Sequence, residues 1–519
     1  MDDYPARLRA IADLNVASAR EEGGRHEYDG VVGDLSPEGV TAGLARLGRG
    51  DPFADAHDEA HARAAEEALR VELGELELHR SNPLRHVFEL DVSCYDREYA
   101  PEAERRAARD RHLAAWPDAV GAAIAALDRV SAPTATALLD AVRGLAAGVP
   151  EDVPAEVRDP ALSAHRRLVT HLERAQREGP RDAALGGAAL ARYMGAGEAL
   201  EVDLDRLRAQ ADTERDRLMA RLAESAGRLA PGRPPLETAR ELLRDHPAPD
   251  GVLDAARTWT RLCLDFTRER DLVPYDDGRC EVRLSPPSGR WATAALGWSG
   301  PAEADAPSSF FVTPPDPAWS ETETAEWMEL FSATTLPAIG VHEVAPGHFS
   351  HGRALRRAQG QVRRSLFSLS FVEGWAHYTE ELCVEEGFGA YAEEALGADA
   401  GSFTAAHFEV GVWVEALIRV TRLSSAIGVH TGEMTVEDAA RRFAADTPHT
   451  GPAALAEARR ALFDPTYGRY TWGKLAILDL REQARRRWGS GFSLRRFHAA
   501  LMELGAPPLG LLGTALERG

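Results

Sequence analysis

The seven residues His342-Glu343-Val344-Ala345-Pro346-Gly347-His348 constrain the fold of this chain more than any other stretch. Proline at 346 lacks a backbone donor and clashes with the carbonyl four residues back, while Gly347 accepts dihedrals that other residues avoid. In a regular helix, about 100° per residue would carry His348 about 240° around the axis from His342, so the two imidazoles would face apart. Bringing them together requires a distortion. The sequence predicts a two-residue bulge at Pro346-Gly347 that restores the phase.

Histidines brought together in this way, with a carboxylate beside one of them, suit a hydrolytic metal site. Such a site needs two or three neutral or anionic ligands, an open coordination position and a carboxylate that accepts a proton from water. His342 and Glu343 supply a ligand and a base side by side. Farther on, Phe371-Val-Glu373-Gly-Trp-Ala-His377-Tyr378-Thr-Glu380-Glu381 places Glu373, His377 and Glu380 or Glu381 at i, i+4 and i+7 or i+8, on one helical face. Glu373 follows His348 by 25 residues, enough for a turn and an antiparallel helix to return its carboxylate to the histidines. His342, His348 and Glu373 are therefore the candidate ligands of one Zn2+, although His, His, Glu sites accept other divalent metals. The competing reading is that Pro346-Gly347 simply ends a helix and that the acidic stripe is solvated.

The rest of the chain reads as mainly α. From about Tyr4 to Arg270 apolar residues recur at steps of three and four, for example over Pro101 to Leu127 and Leu204 to Leu229. Gly148 to Pro154 and Ala230 to Pro235 look like connections between helices. Between Cys280 and Val312 the texture changes to short runs, Cys280 to Leu284, Arg290 to Trp298 and Ser309 to Val312, bounded by Pro and Gly as strands are. Ser320 with Glu323 forms a capping box that starts a helix through about Thr335, and Pro337 suits the first turn of the next. The expected architecture is a large helical fold of two lobes around a deep central cleft. Residues 1–270 form a scaffold lobe, and 271–519 a metal-site lobe with a small β-sheet near 280–312, the two making one structural unit.

The formal charge of −22 argues against nucleic acid and anionic membranes as partners. Met1 to Pro5 is not a basic and apolar leader, and no run approaches the roughly 18 to 20 apolar residues of a membrane span, so a cytoplasmic protein is expected. Cys94, Cys263, Cys280 and Cys383 lack CxxC spacing, which leaves histidine and carboxylate as the metal donors.

Four further matches accompany these segments: Arg419-Val-Thr-Arg422-Leu423 through Gly428-Val-His430, Tyr470 to Lys474, Leu480-Arg481, and Phe497-His498. With His342 to His348 and Glu373 to Glu380, their order and spacing resemble the bacterial family known as domain of unknown function 885. The resemblance is specific over roughly the last 180 residues. It implies a helical fold similar to the helical zinc carboxypeptidases and peptidyl-dipeptidases, and a metallopeptidase-like activity with His342, His348 and Glu373 as ligands and Glu343 as base. The chain departs from the family pattern at Phe349, His377 and Ala426, which makes His377 a candidate added ligand or substrate contact.

On this reading Glu343 takes a proton from water and passes it to the leaving group. Tyr470 and His430 are the candidate stabilisers of the developing negative charge, against plain aromatic packing and a helix end respectively. Arg419 and Arg422, at i and i+3, are candidates for holding a substrate carboxylate, against surface salt bridges. The expected substrate is a small peptide or another amide-containing small molecule. Two alternatives stand beside the hydrolase: a metal-dependent tailoring enzyme acting on a small metabolite, and a helical binding protein without catalysis.

Overall fold

The computed structural model describes residues 4–275, 277–286, 290, 292–304 and 306–519. Among them the protein is built almost entirely of helices, with one three-stranded sheet. The helices that carry its cores are α1 (Ala56–Leu69), α2 (Glu102–Ala126), α3 (Ala132–Gly144), α4 (Ala155–Glu178), α5 (Leu204–Leu229) and α6 (Val252–Glu269). After the sheet come α7 (Glu321–Met328), α8 (Thr335–Glu343), α9 (His348–Leu355), α10 (Leu369–Glu385), α11 (Ala405–Thr431), α12 (Gly451–Arg460), α13 (Arg469–Trp488) and α14 (Leu494–Met502).

The helical periodicity of residues 204–229 is realised residue for residue as α5, and that of 101–127 as α2. The sheet comprises β1 (Cys280–Leu284), β2 (Ala294–Gly297) and β3 (Ser308–Val312). Central β3 pairs in parallel with β1, Val282 opposite Phe310, and antiparallel with β2, Leu296 opposite Phe310. The expected second strand is shorter than Arg290 to Trp298, and its Trp291 lies outside the described residues, as do Met1 to Asp3.

One expected helix is split. The Ser320–Glu323 capping box forms, but α7 ends at Met328, a single 3-10 turn covers Glu329–Phe331, and α8 starts afresh at Thr335. The cause is a second cap, because the Ser332 hydroxyl accepts a hydrogen bond from the Thr335 amide at 3.1 Å.

Four apolar cores hold these elements. The largest joins Leu218 and Leu222 of α5, Phe266 of α6, Phe310 of β3, Val341 of α8 and Leu417 and Val420 of α11, so it runs without interruption across residue 270. A second packs Phe371, Trp375 and Tyr378 of α10 against Ile477 of α13 and Phe497 and Leu501 of α14. A third lies within the bundle α2, α3 and α4 around Trp116, and a fourth ties Leu8 and Ile11 to Leu69 of α1. Helix α10 is buried over nearly its whole length, and the functional candidates sit where it meets α8 and α9. No described helix is long and apolar enough to cross a membrane.

Candidate metal centre

His342 lies one residue before the end of α8, a helix whose other members are mostly buried. Val344, at φ −104° and ψ −89°, leaves helical geometry, and the chain re-enters a helix only at His348. The expected two-residue bulge is thus a full break of four residues, Val344 to Gly347. The Ala345–Pro346 peptide in the break is cis. Gly347 donates to the Val341 carbonyl at 3.2 Å, and a Cβ there would lie 1.9 Å from the His342 carbonyl oxygen, so glycine is required by close approach. Trp375 on α10 donates its indole N–H to the Pro346 carbonyl at 3.0 Å and so anchors the break. The two imidazoles end 4.7 Å apart between ring centres, at 87° to each other.

The third donor comes from α10. Its N-terminus is fixed by Ser368, whose hydroxyl accepts from the Phe371 amide at 3.1 Å, and Glu373 follows in the first turns. Glu373 Oε2 lies 3.5 Å from His342 Nε2 and 3.4 Å from His348 Nε2. Four-coordinate zinc with bonds of about 2.0–2.1 Å separates its ligands by about 3.4 Å, the edge of the tetrahedron. Donor atoms of the three residues all lie within 4.8 Å of one another, and no other such group of three occurs among the described residues. The Glu373 side chain keeps 21 % of its surface accessible, which leaves one side of the cluster open.

The electrostatics fit a cation. Burial alone would drive a proton off His342, yet its contacts with Glu373 and Glu380 overcome that and raise its pKa to about 9. Burial likewise disfavours ionised Glu373, but the two histidines hold it well below the usual carboxylate range. Glu380 sits behind His342, accepting from Nδ1 at 2.6 Å, which directs Nε2 toward Glu373 and the open centre. Sequence reasoning placed Glu380 on the right face of α10 without giving it this part.

His377 is not brought to the cluster. Its Nδ1 faces Glu380 at 3.2 Å, on the far side of His342, and burial lowers its pKa to about 3, with Lys474 nearby adding to the effect. As an added metal ligand it is corrected by geometry, because its ring is turned to Glu380 and its nitrogens are not among the donor atoms that converge with Glu373. Lys474, the chain's one lysine, is fully buried against Glu381 at 2.7 Å.

Tyr470 does reach the site, its ring stacked 6.3 Å from that of His342. It is brought there by α13 crossing α10 at glycines: a Cβ on Gly473 would lie 1.9 Å from the Ser370 carbonyl oxygen, and one on Gly374 would lie 2.5 Å from the Gly473 Cα. Burial raises the Tyr470 pKa and the Glu373 charge raises it further, so the phenol keeps its proton as a donor. Glu343 ends α8 half-buried, and its charge reaches Cys280 of β1, whose thiol burial pushes up to about 12.

His430 is a correction. Near the C-terminal end of α11, its Nε2–H donates to the Ala461 carbonyl at 2.9 Å and its Nδ1 accepts from the Leu185 amide at 3.1 Å, so both nitrogens serve the backbone. Arg419 and Arg422 flank the Tyr470 ring at 5.6 and 5.5 Å, and each is already paired with a carboxylate of the protein. Arg422 forks onto Glu457 with two bonds of 2.7 Å, and Arg419 pairs with Glu415 at 2.9 Å and faces Glu380 at 3.5 Å. The remaining motif pairs support α10 from behind: Tyr378 donates to His498 Nε2 at 2.9 Å, and Arg481 joins Tyr378 to Glu385.

Sequence reasoning missed three more neighbours. Trp298, just after β2, sets its ring edge-on to that of His348 with 6.5 Å between ring centres and donates to the Glu22 carbonyl at 3.0 Å, so the N-terminal region borders the site. Arg460 and Arg469 meet at Asp464 beside Tyr470. Trp298 ends the expected second strand and Arg469 directly precedes the Tyr470 motif, but nothing in those patterns marks either side chain as a neighbour of the site.

Comparison with protein families matches residues 18–516 to one described as bacterial protein of unknown function (DUF885). No curated protein matches the chain. Two solved structures share the fold, both of proteins described as a "putative lipoprotein". One, of unknown function and from Shewanella oneidensis, has a TM-score of 0.74 at 18 % identity over 99 % of this chain and 98 % of its own. The other, from Colwellia psychrerythraea, has a TM-score of 0.78 at 16 % identity over 99 % of this chain and 97 % of its own.

Proposed function

The chain belongs to the DUF885 family of bacterial proteins, and on that premise we propose that it is a metal-dependent hydrolase, metallopeptidase-like, that cleaves a peptide or amide bond with one zinc ion. The observation that carries this reading is the convergence of His342, His348 and Glu373 at the spacing of tetrahedral ligands. A bound divalent cation supplies Lewis acidity toward a carbonyl and lowers the pKa of water to about 7.

The chain's own residues do the rest. His342 offers Nε2 because Glu380 holds its Nδ1 proton, and Glu373 completes the donor set from α10. Glu343, adjacent to His342 and half-buried, takes the proton from the attacking water and returns it to the leaving nitrogen. Tyr470, neutral through burial, donates its O–H to the oxygen of the attacked carbonyl as negative charge develops there, an interaction worth about 3 kcal/mol. Substrates are small peptides or related amides. The four thiols, none in a disulfide, suit a reducing compartment, and the reading keeps the protein in the cytoplasm.

Glu343→Gln tests the proposal with little change in shape. The variant should retain stoichiometric zinc by elemental analysis and lose turnover of a peptide library by at least about a hundredfold. Full turnover in that variant, or wild-type protein that neither contains zinc nor gains activity from it, would overturn the reading.

A further inference from the structure

Four arginines surround Tyr470, and they are unequally supplied with counter-charges. Arg422 forks onto Glu457, which also attracts Arg460, and Arg419 has Glu415 with part of Glu380. Arg460 and Arg469 instead share one carboxylate for their hydrogen bonds, with Glu457 and Glu373 acting on them only through space. Asp464 accepts from Arg460 Nε at 3.3 Å and Nη2 at 3.1 Å, and from Arg469 Nη2. Thr466 takes a further bond from Arg469 Nη2 at 2.8 Å, but it is neutral. Each guanidinium carries five N–H donors, and Nε and Nη1 of Arg469 have no acceptor among the described contacts.

The pair is set against the metal centre rather than on the outer surface. Arg469 directly precedes Tyr470 in α13, and the Arg460 guanidinium faces Tyr470, the ring stacked on His342. Arg460 is lined by the Tyr467 ring at 5.7 Å and by Asp464, yet 31 % of its side chain stays accessible. Two cations on one anion, with unused planar donors, make a place for a second anion. A carboxylate matches a guanidinium pair in both charge and planarity.

We propose that Arg460 and Arg469 form a carboxylate-binding subsite beside the metal centre, and that the substrates are short peptides or N-acyl amino acids bearing a free C-terminal carboxylate. The inference rests on the hydrolase reading only for where the scissile bond lies. An extended residue spans about 3.3–3.6 Å, so a carboxylate on this pair leaves the preceding amide within reach of Tyr470 and the ligand cluster. Cleavage there adds one water across the amide C–N bond, its proton going by way of Glu343 to the departing amine.

Calorimetric binding to the zinc-loaded Glu343→Gln protein tests the subsite without turnover. The probes are N-acetyl-alanyl-alanine, the same compound as its C-terminal carboxamide, and inorganic phosphate. The free acid should bind at least about tenfold more tightly than the carboxamide. Adding Arg460→Gln or, separately, Arg469→Gln should abolish that difference with zinc content and melting temperature unchanged, the second variant serving should the first not fold. Acid and carboxamide that are not distinguished, including failure to bind either, would overturn the proposal, as would a preference that survives both substitutions. Phosphate binding as tight as the acid would also overturn it, by showing a general anion site. Failure of the hydrolase reading is read separately, from wild-type protein with no zinc and no turnover of either probe.

Discussion

Replacing Glu380 with glutamine removes the charge that faces the Nδ1 proton of His342 while keeping an acceptor oxygen in place. Carboxylates behind metal-bound histidines fix the tautomer and raise basicity, and losing one costs about 10- to 100-fold in metal affinity. Chelator competition should show that loss in Glu380→Gln, and no comparable loss in His377→Gln, because His377 touches Glu380 and not the donor set. A pH dependence follows from the same residues. With its pKa raised to about 9, metal-free His342 carries a proton that a metal must displace. Lowering the pH below that value favours the protonated, metal-free form, so apparent affinity should fall about tenfold per pH unit between about pH 8 and pH 6, and level off above about pH 9. A slope near zero across that range would show that His342 is already deprotonated without metal. At this scale the sequence made the ligands legible, since His342, His348 and Glu373 differ from their surroundings in kind. Glu380 stayed ambiguous with Glu381, because i+7 and i+8 share a face, and only the packing sends Glu381 to Lys474 and Arg217 instead.

Elements place these residues through two close approaches that tolerate no side chain. Gly347→Ala would put a Cβ 1.9 Å from the His342 carbonyl oxygen and 2.4 Å from that of Val341, both fixed backbone at the end of α8. The break must then shift, at a cost of about 1–3 kcal/mol, and His348 with it, so both melting temperature and zinc content should fall. Gly473→Ala acts on the other approach. Its Cβ would meet the Ser370 carbonyl oxygen, pushing α13 from α10 and Tyr470 from His342 while leaving the three ligands on α8, α9 and α10. That variant should keep its zinc and lose turnover, a division that elemental analysis and a peptide assay resolve. Gly121→Ala, with nothing within 4 Å of the added methyl, is the control and should stabilise α2 by about 0.5–1 kcal/mol. Pro346 and Gly347 announce a distortion in sequence, but its size was not legible. Whether a chain bulges or breaks depends on the indole of Trp375 reaching the Pro346 carbonyl, a contact across 29 residues. The split of the helix expected over 320–335 has a local cause that periodicity hides, the cap at Ser332.

Across the whole molecule the centre is a junction between cores. Phe349 of α9 and Val341 of α8 belong to the largest core, while Leu355 of α9 and Phe371 and Trp375 of α10 belong to the second. A metal held by His342, His348 and Glu373 therefore ties two apolar bodies that also meet along α9 and α10 and at Trp472 of α13. The mainly α character was visible in sequence because helical periodicity is local. That one core runs across residue 270 was not, because it depends on α5 packing against α11, some two hundred residues away along the chain. Ligand that binds only the folded state stabilises it by about 4.1 kcal/mol at a thousandfold excess over its dissociation constant. Unfolding entropy of about 2.1 cal/mol/K per residue amounts to roughly 1 kcal/mol/K for a chain of this length, so zinc should raise the melting temperature by about 4 °C if the molecule melts as one unit. A larger rise confined to one of two calorimetric transitions would mean that the cores melt apart and that the metal stabilises only the part containing α8, α9 and α10. Glu373→Gln, which removes the anionic donor without changing the shape of α10, should abolish the zinc-dependent rise in either case. If it does not, zinc is binding elsewhere on the molecule.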